Sequence, residues 1–287
     1  MEEKFDKFLM NNSQKDFLAK IAFKFLKKQL RKLANTYFYE KRSPSNQNAI
    51  DIFDGMWSSK FPNATLLESK AKAKAFEDRR IKWAIEQFSN LTGKCGLELG
   101  PLEAGHSFML QNAGIKSLLS IESNSNSYLK CLIAKEIFHL NQVNFLFGDF
   151  VKFLQECDEY FDFIIASGVL YHLKEPVHFI ESMLSKSNHF YVWTHYYAKG
   201  LKTRFPDKFA GKTEIKYRNK VYRASKYLYN ESLDWDGFCG GPNNFSYWLE
   251  KDLILDIFKW HGFEINIQFD DTEHVHGPCI SFTAIKK

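Results

Sequence analysis

Cysteine is scarce and unpaired in this chain: Cys95, Cys131, Cys157, Cys239 and Cys279 are an odd number, widely spaced and without a C-x-x-C pair. That spacing builds neither a disulfide framework nor a zinc knuckle, so the thiols are expected to be buried and reduced. Long apolar runs are missing too. No stretch reaches the roughly 18 consecutive apolar residues of a membrane-spanning helix, and the opening MEEKFDKF lacks the charged-then-apolar order of a signal peptide. The expectation is a cytoplasmic protein with no membrane span. No internal repeat or low-complexity tract stands out, and 45% hydrophobic with 16% aromatic residues excludes disordered and fibrous classes. The 287 residues suffice for one large or two small domains.

The net charge of +5 is unevenly placed: residues 1–42 hold 11 Lys+Arg against 5 Asp+Glu, leaving 28 against 29 in the remainder. At helical spacing Lys20, Lys24, Lys27, Lys28 and Arg31 share one face, opposite Leu18, Ala22, Phe25, Leu26 and Leu33. A basic amphipathic helix of this kind docks on nucleic acid, an anionic surface or a partner, or packs as an ordinary surface helix. The polar run Ser43-Pro-Ser-Asn-Gln-Asn48 reads as a linker. Residues 1–65 are therefore expected to be a helical extension with its linker, and 66–287 the main domain.

From about residue 66, helical and strand patterns alternate. Glu68 to Phe88 is expected as a helix with Ala73, Phe76, Ile81, Ala84 and Phe88 on one face. Strands are expected at Cys95–Gly100, Lys116–Glu122, Val143–Phe147, Phe161–Ala166 and Phe190–Trp193, with helices between them. A helix at Asp252–Trp260 and strands at Phe263–Phe269 and Ile280–Ile285 complete the series. Such alternation implies a doubly wound α/β fold with a mostly parallel, Rossmann-like sheet. Residues 196–248 are too long for an ordinary connection and are expected to form an insertion, a lid over the ligand face.

In an open α/β sheet the ligand lies beyond the carboxyl ends of the strands, where strand order reverses. Glu98-Leu-Gly100-Pro-Leu-Glu-Ala-Gly105 ends strand one with a glycine and carries another before the next helix. It matches G-x-G-x-x-G poorly. Leu102 and Ala104 replace glycines, and the acids Glu98 and Glu103 would repel a pyrophosphate, which favours a cationic or zwitterionic cofactor. Glu122 ends the next strand 22 residues after Gly100, the distance at which an acid reaches ribose hydroxyls. After strand three, Asp149 offers an acceptor for an exocyclic amine and Phe150 an aromatic face, together pointing to an adenosine ligand.

With these residues the chain resembles the class I S-adenosylmethionine-dependent methyltransferases over roughly residues 75–287. The resemblance implies that Glu98, Gly100 and Gly105 belong to a glycine-rich motif near the methionine part of the cofactor. It also implies that Glu122 binds ribose, that Asp149 and Phe150 bracket adenine, and that Ser167 opens the fourth motif. Gly168-Val-Leu-Tyr-His172, followed by Pro176, is similar to the corresponding stretch of the tRNA wobble-uridine carboxymethyltransferases. The Glu98-Leu-Gly100-Pro-Leu-Glu form departs from the Asp-x-Gly-x-Gly-x-Gly pattern common there. Without a counterpart for the basic residues that hold a carboxylated cofactor, plain methyl transfer is expected. Arg80, or its neighbour Arg79, is a candidate for the cofactor carboxylate.

On the acceptor side the catalytic candidates are Tyr171 and His172 after strand four, and His195 and Tyr196 after strand five. Tyr197, Trp235, Asn244, His274 and His276 are the substrate-side candidates. An alternating His274-Val-His276 pair would put both imidazoles on one strand face, yet no third ligand is recognisable, so no metal is expected. A small polar metabolite is the expected methyl acceptor and tRNA the alternative. The near-neutral main domain lacks the basic excess usual in RNA binders. A third reading is a non-catalytic protein that senses an adenosine ligand.

Overall fold

The computed structural model describes residues 39–62, 65–229 and 243–287. The basic amphipathic helix, Trp235 and Cys239 lie outside the described residues. The chain divides into two compact units, Met1–Ile52 and Phe53–Lys287. In the first, helix α1 (Asn46–Asp51) starts where the Ser45 side chain accepts a hydrogen bond from Asn48 N. The larger unit begins at Phe53, ahead of residue 66, where the main domain was expected to start. Its opening segment is held by a parallel bridge between Ser59 and Ala73.

That bridge corrects the first expected helix. Residues 65–74 are not helical, with Lys60 N donating to Ala73 O at 2.6 Å, and a short 3-10 turn spans Ala75–Glu77. Helix α2 (Arg79–Gln87) begins only where the Asp78 carboxylate caps Arg80 N. The periodicity was shared by Phe76, Ile81, Ala84 and Phe88, which are buried, whereas Ala73 is not.

The remaining elements follow the expected alternation closely. They are β1 (Cys95–Leu99), α3 (Gly105–Asn112), β2 (Ser117–Glu122), α4 (Ser125–Ile137), β3 (Val143–Phe147), α5 (Phe150–Glu156), β4 (Phe163–Ser167), α6 (Pro176–Leu184) and β5 (His189–His195). Helix α7 (Leu201–Arg204) leads into β6 (Phe209–Tyr217), β7 (Lys220–Leu228) and β8 (Phe245–Leu249), and α8 (Lys251–Trp260), β9 (Glu264–Asp271) and β10 (Cys279–Ile285) close the chain. Seven strands form one sheet in the order β3-β2-β1-β4-β5-β10-β9. Its first five strands are parallel, and β10 runs antiparallel to both neighbours. The expected insertion contains a separate antiparallel sheet, β6-β7-β8.

Strand alternation sorts β1 between two helical layers. Leu97 and Leu99 enter the core shared with α5, α6 and α8, while Glu98 faces the opposite way, onto Ser107 of α3 and Ser120 of β2. Phe163-Ile-Ile-Ala166 is wholly buried, as a central parallel strand covered on both faces requires. At the far side of this core, Phe258 is fully buried among Phe190, Phe263 and Phe282, with ring centroids 5.4–6.0 Å away. Truncating it removes edge-to-face contacts and leaves a cavity between α8 and the sheet. Phe258→Ala is expected to lower unfolding free energy by about 3–5 kcal/mol, read from urea denaturation.

Candidate functional site

Strand order reverses between β1 and β4, the place where an open α/β sheet splits its connections and leaves a crevice. A cavity of about 1040 Å³ lies there, lined at successive strand ends by Gly100, Glu122, Asp149, Phe150, Ser167 and Trp193.

The loop after β1 makes its floor. Gly100 has φ +70°, and a Cβ there would stand 2.7 Å from Val169 Cγ1, so glycine is needed on both counts. Leu102 and Ala104 also lie at positive φ, +57° and +63°, each at a cost of about 1–2 kcal/mol for a residue with a Cβ. The loop therefore keeps the backbone of a glycine-rich turn without its glycines. Specific bonds hold it. Leu102 N donates to Glu122 Oε2 at 3.1 Å, and Ala104 N to Pro101 O at 3.0 Å. Between them Glu103, 1% exposed, accepts from Ser58 N and Ser59 N at 2.9 and 2.8 Å, and from Lys130 Nζ at 2.8 Å. Lys130 also reaches Met56 O at 2.5 Å. The sequence suggested that Glu103 repels an anionic ligand; instead Lys130 neutralises it and the pair ties loop, α4 and the 53–62 segment together.

Glu98 and Gly105 are not among the cavity-lining residues. Glu98 is buried beneath the loop, accepting from the hydroxyls of Ser107 and Ser120, and burial raises its pKa. Its Oε1 has no partner among the described residues. Gly105 opens α3 where a Cβ would stand 2.6 Å from the Ala75 carbonyl carbon, so its glycine serves close packing of α3 on the 3-10 turn. Lys130→Met leaves the Glu103 charge buried and unpaired, and is expected to cost about 3–5 kcal/mol in urea unfolding.

Acceptors converge on the cavity from two strand ends. Glu122, 7% exposed, takes Leu102 N and Asn124 N on its two oxygens. Burial raises its pKa and the backbone donors oppose that rise. Asp149 Oδ1 caps α5 through Val151 N at 2.8 Å, and Phe150, packed on Phe179 at 5.7 Å, flanks it. Ser59 Oγ is buried at the same cavity without a partner among the described residues.

The opposite wall carries a charged pair that the sequence only half revealed. Arg80 Nη2 meets Asp78 Oδ2 at 2.6 Å, and Arg80 stacks on the Trp193 ring at 4.3 Å. His106 Nε2 lies 3.0 Å from the same Asp78 oxygen. Asp78 is partly desolvated, yet His106 and Arg80 hold its carboxyl well below the usual range. Asp78 fell inside the helix expected over Glu68–Phe88 and gave no signal as a site residue, and neither did Ser58, Ser59, His106 or Trp193.

Tyr171 and His172 also line the cavity, from the 3-10 turn Leu170–His172 after β4. His172 Nδ1 is 2.5 Å from Tyr229 Oη, and desolvation, then nearby His195, lowers its pKa to about 3. The other acceptor-side candidates stand behind this wall. His195 is buried, bonded through Nδ1 to Gly277 O at 2.9 Å and stacked on Trp248 at 5.0 Å. Tyr196 donates to Asp270 at 2.7 Å, and Tyr197 packs with Leu201, Phe209 and Trp248. Asn243 lines the cavity, whereas its neighbour Asn244 is exposed. His274 and His276 lie in the turn between β9 and β10, not on a strand face, because β9 ends at Asp271 and β10 starts at Cys279.

A histidine kept neutral by its surroundings makes stability acid-sensitive. The unfolded chain protonates first as pH falls below about 6.5, and the folded chain only near 3, so stability is lost as pH drops through that window. His172→Gln is expected to flatten the fall of unfolding free energy from pH 6.5 to 4 by up to about 1.4 kcal/mol per pH unit, measured by urea titrations across that range.

No family model matches the chain. A stretch of 104 residues is 27% identical to the tRNA U34 carboxymethyltransferase of Campylobacter hominis, covering 36% of this chain. The matched part spans about a third of that relative's length, 36%. The N-terminal domain of EvdMO1, crystallised in the presence of SAH and D-fucose, superposes with a TM-score of 0.63 at 17% identity, over 87% of this chain and 100% of that one. Magnesium protoporphyrin IX methyltransferase (ChlM) from Synechocystis PCC 6803, with bound SAH, gives a TM-score of 0.50 at 16% identity, over 72% and 80% of the two chains. The fold is that of the S-adenosylmethionine-dependent methyltransferases. In that methyltransferase fold the cavity described above occupies the switch-point crevice, with the expected acids of β2 and β3 at its edge.

Proposed function

We propose that the chain is an S-adenosylmethionine-dependent methyltransferase acting on a small polar metabolite. The observation that carries this reading is the convergence of Gly100, Glu122, Asp149 and Phe150 on one cavity at the switch point. The donor set suits the cofactor at each part. Glu122 accepts ribose hydroxyls, Asp149 accepts the adenine amine, and Phe150 supplies an apolar flank. Arg80 and Asp78 together complement a zwitterion, the guanidinium facing a carboxylate and the carboxylate an ammonium. The orphaned Ser59 hydroxyl is a further hydrogen-bonding group for a ligand.

When bound, S-adenosylmethionine supplies a methyl group on a sulfonium, open to direct displacement by an acceptor. Tyr171 and His172 form the wall on which the acceptor rests. A histidine with a pKa near 3 is a poor proton acceptor at neutral pH, so His172 orients by hydrogen bonding instead of abstracting a proton. Alignment then carries the rate, and well-oriented reactants gain up to about 7–11 kcal/mol from it. A strong base is not required of this site.

The D-fucose in the EvdMO1 crystals supports a small hydroxylated acceptor, as does the near balance of charge in residues 43–287. The local match to a tRNA U34 carboxymethyltransferase favours tRNA as a second reading. Supplying labelled cofactor with a metabolite panel and with bulk tRNA separates the two, and tRNA labelling alone removes the first. Binding without transfer to any acceptor would favour the sensor. For the cofactor itself, Glu122→Ala is expected to weaken S-adenosylmethionine binding by about 1.5–3 kcal/mol, roughly 10- to 150-fold in Kd by calorimetry. An unchanged Kd would remove Glu122 from the site.

A further inference from the structure

Behind the acceptor wall three potential metal ligands meet. One donor atom each from His195, His274 and Cys279 lie within 4.8 Å of one another. The residues come from different places in the chain: His195 ends β5, Cys279 begins β10 directly opposite it in register, and His274 belongs to the preceding turn. Sequence spacing around His274-Val-His276 showed no third ligand because the third and second are supplied across the sheet.

We propose that His195, His274 and Cys279 bind a zinc ion, independently of the cofactor reading. Four-coordinate zinc holds nitrogen and sulfur donors about 3.3–3.8 Å apart, given bonds of about 2.0–2.3 Å. The cluster is thus within a small inward shift of a coordination set. Two imidazoles and a thiolate form a borderline-soft set that suits zinc and disfavours magnesium or calcium.

The surroundings are arranged as metal sites usually are, with outer partners that orient the ligands. His195 Nδ1 faces Gly277 O at 2.9 Å and Pro278 O at 3.2 Å. Two carbonyls can only accept, so Nδ1 carries the hydrogen and Nε2 keeps its lone pair for a metal. Trp193 packs edge-on against the His195 ring, with centroids 5.3 Å apart, and helps to hold that ligand in place. His274 is half-buried, giving the ion a route from solvent. Its Nδ1 accepts His276 N at a long 3.3 Å, a contact weak enough for the ring to turn.

None of the three ligands lines the cavity, so the ion acts through position. It joins the β9–β10 turn to β5 and β10, and Trp193 links this knot to Arg80 at the cavity. Three protein ligands leave one coordination position for water.

The test uses the full chain, stripped with a chelator, loaded with zinc and desalted. Metal analysis is expected to find one zinc per chain, and cobalt in its place to show a thiolate-to-metal absorption band. Cys279→Ser and His274→Ala are each expected to weaken zinc binding at least about tenfold in competition with a chromophoric chelator. His276→Ala, whose ring lies outside the cluster, keeps wild-type affinity. His274 sits in a surface turn, and circular dichroism of His274→Ala verifies that it folds. Zinc is expected to raise the melting temperature of the wild type and not of His274→Ala. Failure to retain stoichiometric zinc, or wild-type zinc affinity in Cys279→Ser or His274→Ala, would overturn the proposal. A cobalt spectrum without the thiolate band would do the same.

Discussion

The buried carboxylate of Glu103 is the constraint on which the site depends. It accepts two backbone N–H groups from Ser58 and Ser59 and an ammonium from Lys130, and no water-exposed alternative remains to it at 1% exposure. Removing either charge strands the other in a low-dielectric interior. The bond set fixes the β1–α3 loop while Leu102 and Ala104 hold positive φ angles that their side chains disfavour. Strain at those residues is thereby balanced by contacts made from elsewhere in the chain, a common arrangement at binding sites.

From that loop outward, each strand end adds one chemical function. Glu122 both supports the loop, through Leu102 N, and faces the cavity. Asp149 divides its oxygens in the same way, with Oδ1 spent on a helix cap. Side chains already fixed by such scaffold bonds need little further ordering when a ligand binds. The wall at Tyr171 and His172 is built differently, from packed rings. Trp248 lies parallel to both His195 and Tyr227, so the second sheet is joined to the main one through aromatic contact beside Tyr171.

Much of the architecture was legible because strand and helix periodicities are local. The order of elements, the buried central strand β4 and the acids at the ends of β2 and β3 all follow from short-range pattern. What was hidden depended on distance in sequence. Ser58 and Ser59 enter the site because Glu103 draws them there from 45 and 44 residues away. Ala73 shared a helical period with Phe76 and Ile81 but was claimed by a bridge to Ser59. Glu98 looked like a ligand-facing acid, and strand alternation turned it to the other layer. His195 and Tyr196 sit at a strand end as expected, yet Gly277 and Asp270 engage them behind the cavity wall.

The proposed function places the cofactor in one switch-point cavity, held through Glu122, Asp149 and Phe150. A crystal structure of the chain grown with S-adenosylhomocysteine tests it most directly. Density is expected in this cavity, with ribose hydroxyls on the Glu122 carboxylate and the adenine between Asp149 and Phe150. An empty cavity at saturating ligand, or a nucleoside bound away from those three side chains, would contradict it.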